Sequence, residues 1–107
     1  MKVLNKDYIE QMTGYRPFTT FWEDLSIAER FGIRAINSTY RQVYNSWRKD
    51  YKYWTEFVMT LSWKSSYYYK TNTALSKLYS NLYYKASDYA RDNFKGEELE
   101  YYYRVTD

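Results

Sequence analysis

The chain has 107 residues, a formal net charge of +3 at pH 7, and 25 aromatic side chains (16 Tyr, 4 Trp, 5 Phe), but it has no His and no Cys. It therefore lacks the side chains most used for proton transfer near neutral pH, thiolate attack and transition-metal ligation. With only three Gly and one Pro, turn-rich β folds and low-complexity disorder are also disfavoured. What remains is a single all-α domain spanning residues 1–107, large enough to bury a core without a disulfide or metal.

The first twelve residues, MKVLNKDYIEQM, lack the continuous apolar stretch of a secretory signal. The charge-free run from Phe57 to Trp63 is far short of the ~20 residues of a membrane-spanning helix. A cytoplasmic protein without a membrane anchor is the expectation. A short helix over 7–13 closed by Gly14 is predicted, followed by an extended connection at Arg16-Pro17. This makes residues 1–18 a peripheral N-terminal segment.

Thr20-Phe21-Trp22-Glu23 has the spacing of a capping box and predicts a helix from there to about Phe31. Ser26-Ile27-Ala28-Glu29 repeats that spacing, so the segment can begin as two turns with a break. Gly32 fits a left-handed terminator followed by apolar Ile33.

From there the register Ile33, Tyr40, Trp47, Trp54, Leu61, Tyr68 is apolar at every seventh position. The period predicts one long helix over roughly 34–70 with a wide apolar stripe. Such a rod would span on the order of 55 Å. Thr71-Asn72-Thr73 offers cap residues for a second helix carrying Leu75, Leu78, Tyr79, Leu82, Tyr83, Ala86, Tyr89, Ala90 and Phe94, stopped at Lys95-Gly96. A connection this short makes the pair antiparallel. A last short helix over 97–103 carries acids in its first turn. The predicted architecture is a small helical bundle: a long helix, an antiparallel partner and short flanking helices.

Charge is distributed unevenly. Residues 30–85 hold ten basic side chains against Asp50 and Glu56, net +8, while residues 1–29 carry −2 and residues 86–107 carry −3. Arg34, Arg41 and Arg48 lie seven apart with Lys52 one turn beyond, a stripe on the long helix that would suit a phosphate backbone or a solvated polar face. Ser26 to Ile33 resembles the first half of a helix-turn-helix. However, Ser38 and Arg41 stand where its second helix should be apolar, which favours a glycine-capped turn.

Beyond Tyr51, Tyr53, Met59, Trp63, Tyr67 and Tyr69 fall off the apolar stripe. A helix that is apolar all round is covered either by its own chain or by a partner. Met59, Trp63, Tyr67 and Tyr69 are therefore the candidate protein-contact residues, with a second copy of the chain or another protein as partner. Nucleic acid through Arg34, Arg41, Arg48 and Lys52 is the alternative. Asp50, between Trp47, Tyr51 and Trp54, should find a Tyr hydroxyl or a basic partner. The carboxylates Asp88, Asp92, Glu97, Glu98 and Glu100 read as a solvated surface, and there is no Gly-rich phosphate loop and no metal-ligand spacing. No catalysis, cofactor or small-molecule substrate is expected.

Three segments, Thr19-Thr20-Phe21-Trp22-Glu23-Asp24, Arg30-Phe31-Gly32-Ile33 and Leu99-Glu100-Tyr101-Tyr102-Tyr103-Arg104-Val105-Thr106-Asp107, together resemble an uncharacterised family of small helical proteins carried by integrative and conjugative elements of gut Firmicutes. The resemblance covers about residues 19–107 and implies a bacterial, intracellular accessory protein of a mobile element. It carries no known activity and no site residues. Tyr8, Ile9 and Tyr15 fall outside it.

Overall fold

A computed structural model describes residues 17–106 as five helices with no strands among them: α1 Pro17–Glu29, α2 Ile33–Trp47, α3 Tyr51–Tyr67, α4 Thr73–Asn93 and α5 Glu97–Thr106. The predicted helix over 7–13, with Tyr8, Ile9 and Tyr15, lies outside the described residues. None of the described helices is long and apolar enough to cross a membrane.

α1 begins at Pro17, earlier than the capping-box reading placed it. Proline supplies a preset φ and has no N–H to leave unpaired in the first turn. Thr20 is consequently a buried residue inside the helix. The break considered at Ser26 does not form. The Ser26 hydroxyl donates to the Trp22 carbonyl one turn back (2.8 Å), and the helix runs through.

Gly32 closes α1, its N–H donating to the Ala28 carbonyl (3.1 Å), and its own carbonyl accepts from Ala35 and Ile36 to open α2. One residue thus serves both helices. Its backbone, φ 106° and ψ −176°, belongs to a region open essentially to glycine alone. Positive φ is as expected, but ψ is extended, so the left-handed helical terminator is not the geometry used. Ile33 is exposed instead of starting the stripe.

The single long helix over 34–70 is not formed. The chain turns at residues 48–50, and its greatest extent is 37 Å, where an unbroken rod of that length would need on the order of 55 Å. The Asp50 carboxylate accepts from the Tyr53 amide (3.3 Å) as the N-cap of α3. The Arg48 guanidinium donates to the Tyr44 carbonyl (3.2 Å), tying up the end of α2. The cap is thus the role of the acid that had appeared misplaced in the stripe. Tyr40, Trp47, Trp54 and Leu61 are all buried, because both helices line one core and the seven-residue period survives the turn. Trp47 of α2 and Tyr53 of α3 pack ring to ring across it at 4.5 Å.

α3 is the central helix. Tyr53, Trp54, Thr55, Phe57, Val58, Thr60, Leu61 and Lys64 are buried, and α1, α2, α4 and α5 all pack on it. Tyr53, read as off the stripe, is therefore core. Thr55 and Thr60 tolerate complete burial because their hydroxyls donate to the carbonyls of Tyr51 (2.7 Å) and Glu56 (2.8 Å).

α4 starts where the sequence placed it, with the Asn72 side chain accepting from the Leu75 amide (3.1 Å), and it runs antiparallel to α3. Ser65 and Ser76 exchange hydroxyl-to-carbonyl bonds (2.9 and 2.8 Å) near one end. The Trp54 indole N–H donates to the Ala86 carbonyl (3.0 Å) nearer the other. Small residues Ser76, Ala86 and Ala90 on the buried face of α4 let the backbones approach. Gly96 (φ 59°) turns the chain into α5, where buried Tyr102 shares a 2.5 Å hydroxyl contact with Ser87.

Candidate contact surface

α1 and α3 run in the same direction where they meet. Phe21, early in α1, packs on Phe57 (ring centroids 5.2 Å), whereas Glu29 at the end of α1 reaches Lys64 (2.9 Å). The C-terminal ends of both helices, the Gly32 turn and the start of antiparallel α4 therefore gather at one end of the bundle. Of the eight large apolar side chains exposed among the described residues, six lie in these segments: Ile27, Phe31, Ile33, Trp63, Tyr67 and Tyr69. Trp63, Tyr67 and Tyr69 are 48, 64 and 70% exposed. Met59, half-buried one turn before Trp63, leads into the group. Three of the four predicted contact residues are thus exposed near this end.

Beneath them lies a charge. Lys64 is 1% exposed. Its ammonium meets Glu29 Oε2 at 2.9 Å, donates to the Ser26 hydroxyl at 2.5 Å, and sits 4.1 Å from the centre of the Trp22 ring. Glu29 in turn accepts from the hydroxyls of Tyr68 on Oε1 and Tyr79 on Oε2, each at 2.5 Å. Burial pulls the Lys64 amine below its usual range, and the Glu29 hydrogen bond and charge oppose that pull. Burial, reinforced by the same Glu29 bond, pushes the Tyr68 phenol up to about 12 and the Tyr79 phenol further in that direction. Both phenols therefore stay neutral donors at physiological pH.

This network fixes three helices to one another below a cleft of about 450 Å³ that also reaches Arg30, Tyr67, Asn72 and Leu75. Tyr67 is exposed yet held, with its ring edge-on to Trp22 (5.5 Å) and against Tyr68 (4.9 Å). A large, ordered aromatic surface of this kind loses little conformational entropy on contact.

Sequence reasoning overlooked Lys64 and Glu29. A signal existed: Lys64 stands three residues after Leu61 of the stripe, the same relation that made Asp50 conspicuous after Trp47. Its partner lies 35 positions away in another helix, which no local pattern reveals.

The four basic candidates do not form one line. Arg34 and Arg41 are exposed on α2. Arg48 is half-buried, engaged with the Tyr44 carbonyl and stacked 4.7 Å over the Tyr44 ring. Lys52 lies past the turn on α3, beside Glu97, Glu100 and Arg104 of α5. Asp88 and Asp92 are exposed, with Asp88 paired to Arg91, as a solvated surface requires. No protein-family model, curated protein or solved structure matches this chain.

Proposed function

We propose that this protein is a non-enzymatic contact module that associates with a second copy of itself through the aromatic end formed by α1, α3 and the Gly32 turn. The observation that carries the reading is the concentration of exposed Ile27, Phe31, Ile33, Trp63, Tyr67 and Tyr69 at that one end. Aromatic side chains clustered in this way are characteristic of interface cores. The Lys64–Glu29 network supports the reading by keeping that surface ordered before any partner arrives. Exposed Arg30, Arg34 and Lys70 border the same end. Like charges there would oppose each other across a two-fold contact, so added salt should strengthen association by screening them. In this role the chain would fit a cytoplasmic accessory protein of a mobile element, as the family resemblance implies.

Sedimentation velocity over a dilution series from micromolar to near-millimolar protein tests the proposal. Wild type should shift from monomer to dimer, and Trp63→Ser/Tyr67→Ser should remain monomeric with an unchanged far-UV circular dichroism spectrum. A wild type that is monomeric throughout at both low and high salt sinks it. The nucleic-acid alternative loses its continuous stripe at residues 48–50, and only Arg34 and Arg41 keep the predicted relation.

A further inference from the structure

A second feature lies between α2 and α4 and shares no lining residue with the Lys64 cleft. Asn37, Tyr40, Arg41 and Tyr44 occupy one face of α2, while Lys85 and Tyr89 occupy the facing side of α4, and together they line a groove of about 610 Å³. That volume falls within the roughly 300–1,000 Å³ typical of small-molecule sites.

Its chemistry is one-sided. Two cations enter from opposite walls and no carboxylate lines it. Neither Arg41 nor Lys85 has an acidic partner among the described residues. The Asn37 amide and the hydroxyls of Tyr40, Tyr44 and Tyr89 likewise make no hydrogen bond among the described residues. Burial, with a smaller contribution from Tyr44, pushes the Tyr40 phenol up to about 12, so it remains a donor at physiological pH.

The rings are held by the core beneath. Tyr44 and Tyr89 meet edge-to-face at 5.6 Å, and each also packs on Trp54, at 5.9 and 5.7 Å. Both stay half-buried, with surface left to offer. The Lys85 ammonium stands 5.4 Å from the centre of the Tyr40 ring.

We propose that this groove binds a nucleotide unit, its phosphate between Arg41 and Lys85 and its base against Tyr44 and Tyr89, with the Asn37 amide placed to read the base edge. Inorganic phosphate would satisfy the cations and leave the rings and the amide unused. A neutral aromatic would use the rings and leave two cations unpaired. A nucleotide engages both sets: a guanidinium fork matches phosphate oxygens, and a base presents a π-face to tyrosine and polar edges to an amide. The unit can be a free mononucleotide or one residue of a single strand.

Amide-resolved NMR titration of the full chain at low salt decides the matter, with adenosine monophosphate, adenosine, inorganic phosphate and a short oligodeoxyadenylate as probes. Adenosine monophosphate should shift amides of residues 37–44 and 82–89, binding at least about tenfold more tightly than adenosine or phosphate alone. Arg41→Ala/Lys85→Ala should weaken it by about tenfold or more at an unchanged circular dichroism spectrum. Trp63→Ser/Tyr67→Ser should leave it intact, which separates this inference from the self-association reading. Tighter binding of the oligonucleotide at the same amides identifies the strand as the source, and equal or weaker binding identifies the free nucleotide. The proposal is overturned if none of the probes shifts these amides, if phosphate alone binds as well as the nucleotide, or if binding survives removal of both cations.

Discussion

Replacing Glu29 is the most severe test of how the aromatic end is held. Glu29→Ala would leave the Lys64 ammonium, 1% exposed, without its countercharge, a loss of about 3–5 kcal/mol for a buried pair broken from one side. The Tyr79 hydroxyl, on a side chain with no exposure, would lose its acceptor at a further cost of about 1–3 kcal/mol. Half-buried Tyr68 can turn to water and should add little. The sum, about 4–8 kcal/mol, is comparable to the whole stability of an ordinary domain of about 5–15 kcal/mol, so Glu29→Gln, which keeps an acceptor but loses the charge, serves as the milder variant. Lys64→Met leaves Glu29 with its two phenol donors and should cost less, about 2–3 kcal/mol. The double variant Glu29→Ala/Lys64→Met contains no orphaned charge and should fall short of additivity by about 2 kcal/mol. Urea unfolding near neutral pH, followed by tryptophan fluorescence and circular dichroism, gives each value. A Glu29→Ala cost under about 1 kcal/mol, or additive single changes, would refute the buried network as a structural unit.

Two further outcomes follow from local geometry and can be checked by the same unfolding method. Asp50→Ala should destabilise by about 1 kcal/mol through loss of the cap on α3, and Asp50→Asn or Asp50→Ser should restore most of it; equal losses for all three would show that the cap is not what closes the turn. Burial pushes the Asp24 carboxyl from its ordinary 3.8 up to about 6. The folded state therefore binds that proton more tightly than the unfolded chain, and the contribution is fully present below 3.8 and lost as pH rises through about 6. The stability of wild type minus that of Asp24→Asn should accordingly fall by up to about 3 kcal/mol between acidic and neutral pH, and a flat difference would show that the carboxyl titrates normally.

Much of the fold was legible in the chain because it rests on short-range patterns. The seven-residue register named Tyr40, Trp47, Trp54 and Leu61 as core, the Asn72 cap opened α4 where it was expected, and the brevity of the 68–72 connection made α3 and α4 antiparallel. The same register also misled. A period of seven reports only that residues face one core, and it cannot distinguish one long helix from two that turn back on it. Asp50 carried the missing information, since an acid inside an apolar stripe can be a helix start, but only closure of the bundle chose that role.

The division between sequence and tertiary structure is physical. Composition and periodicity determine what is available within a few residues along the chain: an all-α protein, the Asn72 cap that opens α4, and an excess of aromatic surface beyond the needs of one helix pair. Which aromatics are surplus depends on partners distant in sequence. Packing of α1, α2, α4 and α5 around α3 took Tyr53 into the core and left Trp63, Tyr67 and Tyr69 outside. It also brought Lys64 to Glu29, and Arg41 to the groove it shares with Lys85. Burial and pairing energies of this kind arise only when separate helices meet, so tertiary structure alone decided which of the described aromatic and charged side chains remain exposed.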